Sequence, residues 1–76
     1  MERLSTLNVG QGGRVARVEA QEDIHRRLLE MGFVRGEWVT VEKLAPLGDP
    51  MVLGLKGYHL SLRREESACI FVEVDG

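Results

Sequence analysis

Two histidines, His25 and His59, and a single cysteine, Cys69, are the residues of this chain with soft or borderline metal-ligand chemistry. Structural zinc sites take their ligands in closely spaced pairs, because one turn then delivers two donors together. Here the three residues lie on separate stretches, with no such pair among them. The plainer assignments are a solvated helix position for His25, the polar face of a strand for His59, and a small apolar filler for Cys69. Nucleophilic catalysis needs Ser, Cys or Thr beside a base and an orienting third group. Ser5, Ser61 and Ser67 have no local partner of that kind. Glu65-Glu66 is a carboxylate pair, but acid–base work needs a cleft to perturb it, and a charged turn reads as solvated surface. Gly10, Gly12 and Gly13 match neither the P-loop nor the dinucleotide-binding pattern. They precede a strand, so they lack the amide-rich helix start that holds phosphate. The residues therefore predict no enzyme, no metal site and no cofactor.

The elements that carry these residues are short. A chain of 76 residues is read as one domain, 1–76. At that size roughly 60% of the unfolded surface is buried, so the core is small. Hydrophobic residues make up 43% and charged residues 29%, which excludes a disordered chain. A net charge of −2 argues against a dedicated nucleic-acid binder and against anionic membranes. One thiol cannot close an internal disulfide, so a disulfide-stapled secreted scaffold is excluded and a reducing, cytoplasmic compartment is expected. No apolar run approaches the ~20 residues that span a bilayer. The polar start, Met1 to Asn8, does not read as a signal peptide.

Leu4 and Leu7 suggest one helical turn. Arg14 to Val18 reads as a first strand, with a bulge or twist because Val15 and Val18 break strict alternation. Asp23 is placed to cap or charge a helix start, and Ile24, Leu28 and Met31 follow at i, i+4 and i+7 as one apolar stripe. Gly32 fits the position after the helix where φ > 0 is needed, with Phe33 packing back on Leu28 as in a Schellman ending. A second strand runs from Glu37 to Leu44, with Val39 and Val41 on one side and Trp38, Thr40, Glu42 and Leu44 on the other. Ala45 to Pro50 is a turn-rich loop. Met51 to Lys56 is a third strand, Gly57 a tight turn, and Tyr58 to Leu62 a fourth strand with Leu60 and Leu62 inward. Arg63 to Ser67 forms one helical turn. A fifth strand, Ala68 to Val74, faces Ile70, Val72 and Val74 inward. About five short strands with one helix predict a mostly β, small closed barrel. Periodicity alone leaves SH3-like and OB-like barrels open.

The aromatics are Phe33, Trp38, Tyr58 and Phe71. They are too few for a stacking platform, and the basic pairs Arg26-Arg27 and Arg63-Arg64 have Glu30, Glu65 and Glu66 as neighbours, so surface ion pairing is the plainer reading. Trp38, Leu44 and Phe71 fall on nominally outward faces. Either the helix or the N-terminal turn covers them, or they form a partner patch with the Pro46-Leu47 loop.

Taken in order, these residues resemble a family. Arg27-Leu28-Leu29-Glu30-Met31-Gly32-Phe33 followed by Gly36-Glu37-Trp38-Val39-Thr40-Val41 resembles the core of the ferrous iron transport protein A (FeoA) family. Ala45 to Pro50, then Leu60-Ser61-Leu62-Arg63-Arg64-Glu65-Glu66 and Ile70-Phe71-Val72, resemble its second half, so the likeness runs from about Leu7 to Val74. The resemblance implies an SH3-like β-barrel with an α-helix inserted between the first and second strands. It implies a cytoplasmic accessory protein acting with the ferrous iron permease FeoB, a membrane protein with a cytosolic GTP-binding domain. Membrane contact would then come only through the permease, with no nucleic acid. The residues expected to contact that partner are Trp38, Leu44, Pro46 and Leu47, with Arg26 and Arg27 steering. The alternative is a divalent-metal-binding or sensing domain using His25, His59 and Cys69. It would be related to the C-terminal SH3-like domain of metal-dependent repressors. A chain that begins at Met1, with no DNA-binding helices before the barrel, is expected to be the free-standing form.

Overall fold

The computed structural model describes residues 1–74. Its elements are β1 (Glu2–Arg3), a 3₁₀ turn (Leu4–Thr6), β2 (Gly12–Val18), α1 (Glu22–Glu30), β3 (Trp38–Leu44), β4 (Met51–Leu55), β5 (Tyr58–Leu62), α2 (Arg64–Ser67) and β6 (Ile70–Glu73). All six strands join one antiparallel sheet in the order β1-β6-β2-β3-β4-β5. The strand beyond the expected set is β1. Its two residues are too few to show a period, and β6 templates them, pairing Glu2 with Val72 and Arg3 with Phe71. The last strand starts at Ile70 rather than Ala68, because Ala68 still closes the turn of α2 through its N–H to the Arg64 carbonyl, 2.9 Å.

The inner face of the sheet holds the core: Val15 from β2, Val39 and Val41 from β3, Met51, Leu53 and Leu55 from β4, Ile70 and Val72 from β6, all buried. Leu4 of the 3₁₀ turn and Leu7 just after it plug the same core, joined by Leu28 and Phe33 from α1 and its exit. α1 ends as its sequence predicts. Gly32 has φ +114°, the Phe33 amide donates to the Leu28 carbonyl at 3.1 Å, and the Gly32 amide to that of Leu29 at 3.0 Å. These are the two bonds of a Schellman motif, and they turn Phe33 into the core beside Leu28. The apolar stripe is narrower than its spacing suggests. Leu28 is buried, but Ile24 is 37% exposed, because the first turn of α1 stands clear of the barrel. Asp23 adds charge to that turn without capping it: its carboxylate accepts from the next amide, Ile24, at 2.9 Å.

Two bulges bend the sheet. One in β2 separates Val15 from Arg17, so that Val15 and Val18 both face inward, opposite Val72 and Ile70. The other, in β3, separates Val41 from Lys43 and re-aims the end of that strand. Leu44 therefore pairs with Met51 and shares its side, not that of Trp38. Strict alternation places Leu44 outward with Trp38; the extra residue, Glu42, reverses the parity. The β4–β5 hairpin closes through Lys56 (φ +42°) and Gly57 (φ +81°), the two left-handed residues of a type I′ turn. The Ala45–Pro50 loop is tied down at its far end by the Asp49 carboxylate, which accepts from the Arg64 amide at the start of α2, 3.0 Å.

Candidate docking surface

Outside the β3–β4–β5 hairpins lies a groove of about 400 Å³, lined among others by Trp38, Thr40, Glu42, Lys56 and His59. Each side chain has a local cause. Trp38 opens β3 and lies over Gly12 of β2, where an added Cβ would sit 3.0 Å from the indole. Its Nε1–H donates to Thr40 Oγ1 at 3.1 Å, and the Arg14 guanidinium lies 5.6 Å from the ring centroid. The indole is thus fixed on two sides yet 39% exposed. At one rim Glu37 pairs with Lys56 across 3.0 Å. In the middle, Glu42 reaches over β4 to pair with His59 Nδ1 on β5. Gly54 makes that crossing available, since a Cβ there would collide with Glu42 Oε2. A glycine inside a strand marks a close approach of this kind, so Gly54 is the signal the sequence offers, while Glu42 as the group that approaches it emerges only from the fold.

The other predicted surface residues are spread around the molecule. Leu47 is 92% exposed at the tip of its loop, Pro46 is exposed beside it, and Leu44 is 37% exposed on the opposite side of the sheet from Trp38. Arg26 faces solvent and pairs with Glu22 one turn earlier at 3.3 Å. Arg27 is committed to Glu66, an ion pair that pins α1 to α2. A second cavity of about 420 Å³ opens there, lined by Ile24, Arg27, Glu65, Glu66 and Cys69. Phe71, expected outward, is outward and half-covered. The guanidiniums of Arg3 and Arg17, its neighbours on the flanking strands, lie 4.6 and 4.7 Å from its centroid.

The candidate metal ligands stay apart. His25 is half-buried on α1 rather than solvated, His59 is held by Glu42, and the Cys69 thiol faces the Glu65 carbonyl at 3.5 Å. Among the described residues no three His, Cys, Asp or Glu side chains gather as a metal would need. No helix among the described residues is long and apolar enough to cross a membrane.

A single curled antiparallel sheet and a helix inserted between β2 and β3 define a small SH3-like barrel. The chain belongs to the FeoA domain family, whose model matches residues 2–74. It is 46% identical over 72 residues to an Fe(2+) transport protein A/Fe(2+) transporter FeoB fusion protein of Porphyromonas gingivalis, covering 95% of this chain but 8% of that protein. Among solved structures, a FeoA-like protein of Clostridium acetobutylicum is 37% identical, with a TM-score of 0.88 over 96% of this chain and 85% of that one. The zinc complex of FeoA from Stenotrophomonas maltophilia, described as a prokaryotic SH3 domain protein, is 32% identical, with a TM-score of 0.81 over 92% of this chain and 87% of that one.

Proposed function

We propose that this chain is a non-enzymatic, cytoplasmic accessory protein of ferrous iron uptake that docks on the cytosolic region of a FeoB-type permease and modulates or assembles it. The observation that carries this reading is the Porphyromonas gingivalis relative, in which an Fe(2+) transport protein A segment and the transporter FeoB are one polypeptide. Fusing two proteins fixes them at a high effective concentration, an arrangement that serves partners which must meet. The mechanism we favour is a shift in the population of a transport-competent state, which requires the barrel to bind that state better than its alternative. Exposed apolar contacts come from Trp38 and the Pro46-Leu47 tip, with Leu44 at the sheet's opposite side and Arg26 as a steering charge. Arg27, already paired with Glu66, contributes through that pair or by exchanging it.

The test is a titration of isotope-labelled protein with the soluble GTP-binding domain of the cognate permease, followed through amide shifts. Saturable shifts confined to one surface support docking and map it. A flat titration rejects docking on that domain.

A further inference from the structure

We propose that the free edge of β5 is a strand-addition site, which takes an extended segment of the partner protein carrying a lysine or arginine next to His59. The inference deepens the docking reading and rests on it. β5 ends the sheet order, so one side of its backbone has no strand beside it. The register decides which groups are left over. Leu55 and Tyr58 flank the two-residue turn and exchange both hydrogen bonds, so Leu53 with Leu60 and Met51 with Leu62 do the same. His59 and Ser61, paired with Gly54 and Val52, then point their N–H and C=O groups away from β4. No other backbone partner is found for them among the described residues.

Natural edge strands are usually blunted by lysine, proline, a bulge or an inward charge. Tyr58-His59-Leu60-Ser61-Leu62 has none of these, and its register with β4 is regular over all five residues. By contrast β1, at the other edge, is only two residues long. The molecule therefore protects one edge by brevity and leaves the other open for pairing.

The groove beside this edge selects the occupant. Glu37 is matched by Lys56, but Glu42 has only His59 as ionic partner among the described residues, and that partner is charged only when protonated. Its carboxylate already lies across Gly54, on the side of β5. A strand added to β5 would run about 4.8 Å away. Its residue beside His59 would project onto the same face, within the span of a lysine or arginine side chain to Glu42. Main-chain bonds would supply affinity and that one cationic side chain the register, the division of labour usual in β-augmentation.

The experiment measures amide hydrogen exchange on the full chain, alone and with the soluble GTP-binding domain of the cognate permease. His59 and Ser61 are expected to exchange freely alone and to gain at least ~10-fold protection in the complex. Ser61→Pro removes an outward donor while sparing the β4 ladder, as proline is accepted on the outer side of an edge. It is expected to weaken binding about 10-fold, and Glu42→Gln about 3- to 10-fold. A complex in which His59 and Ser61 remain unprotected overturns strand addition and leaves docking intact. Absence of any complex overturns docking on that domain, and this proposal with it. Protection that grows with the chain's own concentration, without the permease domain, assigns the edge to a second copy and overturns the proposal. Should Ser61→Pro fail to fold, the exchange data on the unaltered chain decide alone.

Discussion

The hydroxyl of Tyr58, on β5, donates to the carbonyl of Met31, the residue that caps the C-terminus of α1. This bond spans 27 residues and links the hairpin to the helix terminus at the point where Gly32 reverses the chain. Gly32 is constrained twice there: by φ +114°, and by Tyr58 Oη, 2.5 Å from where a Cβ would stand. Tyr58→Phe should cost about 1 kcal/mol, the net worth of one hydrogen bond. Gly32→Ala should cost about 2–3 kcal/mol, because left-handed strain adds to the steric one. In a Tyr58→Phe background the steric part should vanish and the Gly32→Ala penalty fall. Urea unfolding of the four proteins checks this, and strictly additive penalties would contradict it.

Gly13 and Gly54 both lie inside strands, yet they should respond to alanine in opposite ways. A Cβ at Gly13 would meet the Glu73 backbone, 2.5 Å from its carbonyl oxygen. The β2–β6 ladder cannot yield there, so Gly13→Ala should destabilise by about 1–3 kcal/mol, as overpacking does. At Gly54 the obstacle is the end of the Glu42 side chain, which can swing away. Gly54→Ala should stay within about 1 kcal/mol of the parent, helped by the lower entropy cost of alanine in a strand. It should also separate Glu42 from His59, which a change in the His59 imidazole signals would report.

Glu66 holds two things at once. Its Oε1 accepts from the Arg63 amide at 3.0 Å, closing the first turn of α2, and Oε2 pairs with Arg27 of α1. Gln at this position keeps the acceptor and loses the charge. Glu66→Gln and Arg27→Ala should therefore cost similar amounts, about 1 kcal/mol, for a pair whose arginine is open to solvent and whose carboxylate is largely covered. Glu66→Ala should cost about 0.5–1 kcal/mol more, the value of the lost cap. Thermal unfolding of the three variants measures the difference. Equal losses for Glu66→Ala and Glu66→Gln would show that the cap contributes nothing.

Leu47 is 92% exposed, so nothing in the fold depends on it. Leu47→Asp should leave stability within about 0.5 kcal/mol. If the loop tip is part of the docking surface, the same change should weaken binding to the permease's cytosolic domain by about 10-fold, a loss of ~1.4 kcal/mol. Calorimetric titration of the folded variant settles whether Pro46 and Leu47 contact the partner.

The parts of this molecule legible from sequence are those fixed by neighbours in the chain. The α1 stop at Gly32, the Phe33 return, the Ala45–Pro50 loop and the Gly57 turn all follow from local rules. The parts that escape such rules depend on pairing. β1 has no pattern of its own and exists because β6 offers an edge. Leu44 changes sides because a single extra residue at Glu42 inverts the parity of the strand beyond it, and nothing in Val41-Glu42-Lys43-Leu44 marks that register shift. Ile24 fits the helical stripe but projects beyond the barrel, which depends on where α1 docks and not on its period. The Glu42–Gly54–His59 arrangement is visible in the sequence only as fragments: an interior glycine, an acid and a histidine on three strands that the fold brings side by side.

Trp38 is the chain's one tryptophan. Its indole rests on Gly12, is tethered to Thr40, and borders the groove. The protein thus carries its own optical probe beside the groove where docking is proposed. A ligand that shields the half-open ring from water should shift its emission to shorter wavelength. Unfolding, which strips away Gly12 and Arg14 together, should shift it to longer wavelength. Occupation and loss of structure would then have opposite colours, readable in one cuvette without any label.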